Sequence, residues 1–140
     1  MKPPIFSRVF TLALAFALII QVSQAQTFKL KTAAGVDSAV VTNVETKILK
    51  GAVKSYYPGA SIQVTLDRTS GTVAGKVLLY GSNDGTNFVQ IKSDSLVAIN
   101  AASQSKLFDI SPTKYFYYQT SYVQTGTAVV RMKSILGLKK

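Results

Sequence analysis

A chain with neither histidine nor cysteine has few routes to chemistry. It lacks the imidazole that serves as general base, as partner of a serine nucleophile and as a common zinc ligand. It also lacks a thiol nucleophile. What remains is six carboxylates: Asp37, Glu45, Asp67, Asp84, Asp94 and Asp109. A glycosidase needs two carboxylates flanking one bond, and these stand singly, most of them beside turn residues or on expected outward faces. The pattern argues against an enzyme, and no cofactor is expected.

The polar knot "YGSNDGTNFV" (80–89) is the next candidate. An Asp-box of the form Ser-x-Asp-x-Gly-x-Thr-Trp fails here. Ser82 and Asp84 are in place, but Gly85 and Thr86 come too early and Phe88 stands near the Trp position. A calcium loop needs more oxygen ligands and a closing carboxylate than Asn83, Asp84, Asn87 and a distant Asp94 supply. The knot reads instead as the turn of a hairpin. Asn83 and Asp84 occupy the centre of a type I turn, and Gly85 takes the positive φ that follows. Side chains of Ser82, Asn83 and Thr86 are placed to bond nearby amides.

The remaining candidate is aromatic. In "KYFYYQTSYV" (114–123), period-two alternation puts Phe116, Tyr118 and Tyr122 on one face with Thr120, and Tyr115 and Tyr117 on the other with Gln119. One set belongs to the core, since aromatic residues supply much buried area. The other, Tyr115 and Tyr117 with Lys114 and Gln119, is the candidate ligand-binding set, suited to stacking sugar rings or docking a protein strand.

Strands must position these groups. In "SIQVTLD" (61–67) Ile62, Val64 and Leu66 alternate with Gln63, Thr65 and Asp67, as in a half-buried strand. "GKVLLYG" (75–81) is more continuously apolar and reads as covered on both sides. "NFVQIK" (87–92), "SLVAIN" (95–100), "KLFDI" (106–110) and "GTAVVRMKSIL" (126–136) follow between Gly, Asn, Ser and Asp clusters. "TFKLK" (27–31) and "DSAVVTNV" (37–44) are weaker strands. "ETKILKGAVKSYY" (45–57) is ambiguous: Thr42 and Glu45 have capping-box spacing, but Gly51 and Tyr56–Tyr57 favour strand plus connection. The expected fold is all-β: a single antiparallel β-sandwich, jelly-roll or immunoglobulin-like, of about seven to nine short strands.

The N-terminal segment is expected to be a leader. Lys2 and Arg8 flank the start of the apolar run Val9–Ile20, and Ser23-Gln24-Ala25 offers small residues at both positions that determine cleavage. Residues 1–25 thus read as a signal peptide and 26–140 as the sandwich domain, secreted or periplasmic. The alternative is an uncleaved anchor. No later stretch is long and apolar enough to cross a membrane as a helix. Removing Lys2 and Arg8 leaves 14 basic against 6 acidic residues on 115, a net charge of about +8. This excess favours anionic partners, such as acidic polysaccharide, lipopolysaccharide or a membrane surface, while export argues against nucleic acid.

"SGTVAGKVLLYGSNDGTNFVQI" (70–91), "YFYYQTSYVQTGT" (115–127) and the basic final strand together resemble uncharacterised β-sandwich modules of tailed-phage virion or tail proteins and of small secreted bacterial proteins. The hairpin from Gly81 to Phe88 is similar to a strand–turn–strand piece of discoidin-like sandwiches. The resemblance spans residues 61–137 and implies a fold, not site residues. Two functions follow as expectations. One is an exported binding module contacting an anionic or glycan-bearing surface partner. The other is a structural component that pairs with itself or a protein partner through its sheet edges.

Overall fold

Ile62, Val64 and Leu66 are almost wholly buried while Gln63 between them is exposed, so the alternation in this segment fixes one inward face. They belong to β4 (Gly59–Ser70), the longest strand of a computed structural model that describes residues 25–91 and 95–140. Residues 1–24 of the expected leader and residues 92–94 lie outside the described residues.

Among the described residues ten strands form, one more than the upper end expected, with three in the weakly patterned N-terminal third. These are β1 (Gln26–Lys29), β2 (Ser38–Thr42) and β3 (Thr46–Ala52). After β4 come β5 (Gly75–Ser82), β6 (Val89–Gln90), β7 (Leu96–Ala98), β8 (Ser103–Asp109), β9 (Tyr117–Gln124) and β10 (Val129–Lys139). The first sheet runs β1-β10-β4-β8, with β2 also on β10; the second runs β3-β9-β5-β6, with β7 also on β5. All pairings are antiparallel.

The ambiguous segment 45–57 is strand where it is regular. Its capping-box pair does form one bond, from the Thr42 amide to Glu45 Oε2 at 3.2 Å, but this closes the β2–β3 turn, where Asn43 has φ 56°. An ion pair with Lys47, reinforced by the Thr42 amide, lowers the Glu45 pKa.

One core lies between the sheets. Tyr118, Tyr122, Leu49 and Leu79 enter it from the second sheet, and Ile62, Phe108, Met132 and Leu136 from the first. Its centre also holds a polar fastening. Thr120 on β9 and Ser134 on β10, both essentially inaccessible, share a hydrogen bond of 2.8 Å from one sheet to the other. Each hydroxyl thereby keeps a partner that burial would otherwise deny it.

Candidate ligand-binding site

The segment between β8 and β9 is a loop that both sheets hold down. Ser111 Oγ accepts the Ala60 amide at 2.7 Å and donates to the Ala60 carbonyl at 3.0 Å. Thr113 and Tyr57 exchange bonds: the Tyr57 amide reaches Thr113 Oγ1 at 2.8 Å and the Thr113 amide reaches the Tyr57 carbonyl at 3.0 Å. The Val53 amide donates to the Phe116 carbonyl at 2.7 Å. The Lys114 and Tyr115 amides both donate to Tyr118 Oη, at 3.2 and 3.4 Å. Burial raises the pKa of the Tyr118 hydroxyl, and these two amides partly offset the rise.

This arrangement corrects the expected face assignment. The alternation was expected to begin at residue 114, but the strand begins at Tyr117 because the preceding amides bond a side chain instead of a sheet ladder. Tyr118, Thr120 and Tyr122 point inward as expected, whereas Phe116 is 55% exposed. Tyr115 leaves the face of Tyr117 and folds over the end of the core. Its ring meets that of Tyr118 edge-on, with centroids 6.2 Å apart at 87°, and it lies against the bare α-carbon of Gly81.

The four candidate residues therefore divide between two places. Lys114 and Tyr115 line a cavity of about 160 Å³ at the end of the sandwich, together with Asp109, Pro112, Tyr118 and Ile91. Asp109 Oδ1 accepts the Ser111 amide at 2.9 Å. The cavity combines an aromatic wall, an apolar corner and two opposite charges, Lys114 on the pinned loop and Asp109 at the end of β8. Such a concavity is suited to a small polyhydroxylated ligand: a ring against tyrosine, hydroxyls to carboxylate and ammonium.

Tyr117 and Gln119 lie instead on the outward face of the second sheet. Strand register puts Lys50, Gln119, Tyr80 and Gln90 in one outward row, and Ala52, Tyr117 and Ser82 in the next. Tyr117 is 37% exposed, but Gln119 is only 8% exposed despite facing out. The cause is the β5–β6 hairpin. Lys50 Nζ sits 4.6 Å from the centroid of the Phe88 ring. Since β3 and β6 lie on opposite sides of β9 and β5, that contact must cross above Gln119.

The hairpin knot is structural, as expected, and Gly85 has φ 75°. Ser82 Oγ accepts the Gly85 amide at 2.9 Å. The far side is held by Asp84 rather than by the expected Asn83 and Thr86 side chains. Asp84 Oδ1 accepts the Thr86 and Asn87 amides, each at 2.8 Å, and Oδ2 accepts Asn87 Nδ2 at 2.7 Å. These donors, the Asn87 amide foremost, hold the Asp84 carboxyl far below its ordinary pKa of 3.8. A Cβ at Gly85 would come within 3.3 Å of the Tyr117 ring, so the turn also seats that tyrosine.

The sequence pointed to Lys114, Tyr115 and Tyr117. It gave no sign of Lys50, Phe88 or Tyr80, whose proximity depends on register across three strands, nor of Asp109 as a wall of the cavity. Among the described residues no group of His, Cys, Asp or Glu could hold a metal ion.

No protein-family model matches the chain, and no curated protein matches it by sequence. Solved structures align with it at low identity. CpGH89CBM32-6 of Clostridium perfringens, a carbohydrate-binding module by its name, aligns with TM-score 0.51 and 14% identity over 87% of this chain and 97% of that one. The family 32 module of C. perfringens NanJ, in complex with galactose, gives TM-score 0.45 and 16% identity over 84% and 93%. The SPBc2 prophage-derived protein YomS gives 0.47 and 13% over 85% and 97%. The chain has the β-sandwich architecture that CpGH89CBM32-6 shares. Among the described residues no helix is long and apolar enough to cross a membrane.

Proposed function

We propose that the chain is an exported, non-enzymatic binding module that takes a sugar unit of a glycan-bearing partner into the cavity between Asp109, Lys114 and Tyr115. The observation that carries this reading is the pinned 110–116 loop, which sets Tyr115 and Lys114 against Asp109 at the end of β8 around one concavity. Preorganisation matters because each ordered side chain lowers the entropy lost on binding. The fold shared with CpGH89CBM32-6 supports a binding module in general and says nothing of the sugar.

Titration of isotope-labelled protein with neutral and amino monosaccharides and disaccharides, read as amide chemical shifts, tests the assignment. A ligand should move resonances of Ile91 and residues 109–118 and leave the β1–β10 edge unmoved. Lys114→Gln and Asp109→Asn should each weaken that response while the spectrum stays folded. Shifts confined to another region would refute the site. No shift with any sugar, together with oligomers on a sizing column, would favour assembly through sheet edges.

A further inference from the structure

We propose that the outward face of the second sheet is a separate docking surface for an acidic polysaccharide chain. Its outward positions are fixed by register: Thr46, Val123, Lys76 and Val97 in one row, then Ile48, Ser121 and Leu78, then the Lys50 and Tyr117 rows. The charges in these rows are Lys50 and Lys76, both exposed, and no carboxylate stands among them. The nearest described acids are already engaged, Glu45 with Lys47, Asp84 within its own turn, and Asp37 with Lys29 and with Lys31, which is bridged beside Lys50. The opposite face is mixed in sign, since Asp67 pairs there with Lys133 at 3.1 Å and Asp37 with Lys29 at 3.1 Å. Among the described residues, the outward rows of the second sheet thus carry lysines and no carboxylate of their own.

The surface around Lys50 suits sugar rings. Tyr117, Phe88 and Tyr80 lie partly exposed along the face with exposed Gln90 beside them, while Gln119 and Ser121 are covered. Flat aromatic surface beside a polar group matches pyranose rings. Lys50 and Lys76 are two strands and four residues apart, a Cα separation of about 16 Å from standard sheet spacings. Acidic groups recurring along a chain can meet both. The loop-end cavity, with its paired opposite charges, is a distinct site, and neither proposal depends on the other.

The test uses the whole mature chain, with polygalacturonate as the carboxylated probe, dextran as the neutral polymer and phosphatidylserine-containing vesicles as the lipid probe. Binding to polygalacturonate should weaken steeply as salt rises, because exposed charges are screened within roughly 8 Å at physiological ionic strength. Lys50→Gln with Lys76→Gln should lower affinity about tenfold and flatten the salt dependence. Tyr117→Ala should lower affinity with the salt dependence unchanged. Arg131→Gln with Lys139→Gln, equal in charge lost but on the opposite face, and Lys114→Gln should have little effect. Equal losses from the two double variants would show a diffuse field and overturn the proposal. So would binding to vesicles without polygalacturonate, or no binding to polygalacturonate at low salt.

Discussion

Gly81 gives the sharpest test of how the loop-end cavity is built. It lies on the inward side of β5, and a Cβ added there would come within 2.6 Å of Tyr115 Cγ and 2.9 Å of Ile91 Cδ1. Carbon atoms rest at about 3.5–4 Å, so in Gly81→Ala the Tyr115 ring must retreat by about 1 Å. The Ile91 methyl, the end of a flexible side chain, can yield. The ring cannot shift that far and keep its edge on Tyr118, a contact worth about 0.5–1.5 kcal/mol. Adding the usual cost of overpacking, about 1–3 kcal/mol, and allowing for the ring's position at the rim, we expect a loss of about 2 kcal/mol. For a domain of this size that corresponds to a fall in Tm of about 6–12 °C. Urea denaturation followed by circular dichroism measures it. The decisive experiment is a cycle with Tyr115→Ala: once the ring is gone, Gly81→Ala should cost less than about 0.5 kcal/mol. A neutral Gly81→Ala, or an undiminished cost in the Tyr115→Ala background, would refute the packing argument.

Three further outcomes are expected. Thr120→Val should cost about 1–3 kcal/mol by leaving Ser134 Oγ buried without its partner; the double variant Thr120→Val, Ser134→Ala should recover part of that loss in denaturation, and additive losses would contradict the pairing. Gly85→Val should cost about 1–3 kcal/mol, since a β-branched residue is strained at positive φ, and its altered Tyr117 packing should appear in tyrosine-ring NMR shifts. Asp84 and Asp67 have folded pKa values below their ordinary 3.8, so the stability they give is present above that pH and fades as pH falls through the lower folded values. The midpoint of urea unfolding should therefore decline from about pH 4 downward, less so in Asp84→Asn. An equal decline in that variant would mean the hairpin carboxylate does not contribute.

Patterns that depend on near neighbours could be read from the sequence. Ile62, Val64 and Leu66 alternate because a strand presents successive side chains to opposite faces, and Gly85 reveals its turn through a conformation few other residues accept. Tyr115 was misplaced for the complementary reason. Period-two reasoning assumes that the ladder continues, but the Lys114 and Tyr115 amides are taken by the Tyr118 hydroxyl and the chain bends there. Lys50 and Phe88 were invisible because they are 38 positions apart and meet only when β3, β9, β5 and β6 are in register. Gln119 looked like an exposed hydrogen-bonding group for the same reason, since nothing local announces the hairpin that covers it.

The central place of β10 bears on how the chain comes to exist. β10 pairs with β1 and β2 on one side and β4 on the other, so the sheet that contains it is in separate pieces until residues 129–139 join. Gln26 must find Leu138 across almost the whole described chain, a closure that slows folding relative to local pairings. While a ribosome is still making the polypeptide, β1, β2 and β4 have no common neighbour to settle on. The nascent chain is thereby kept from sealing its core until its last strand has been made.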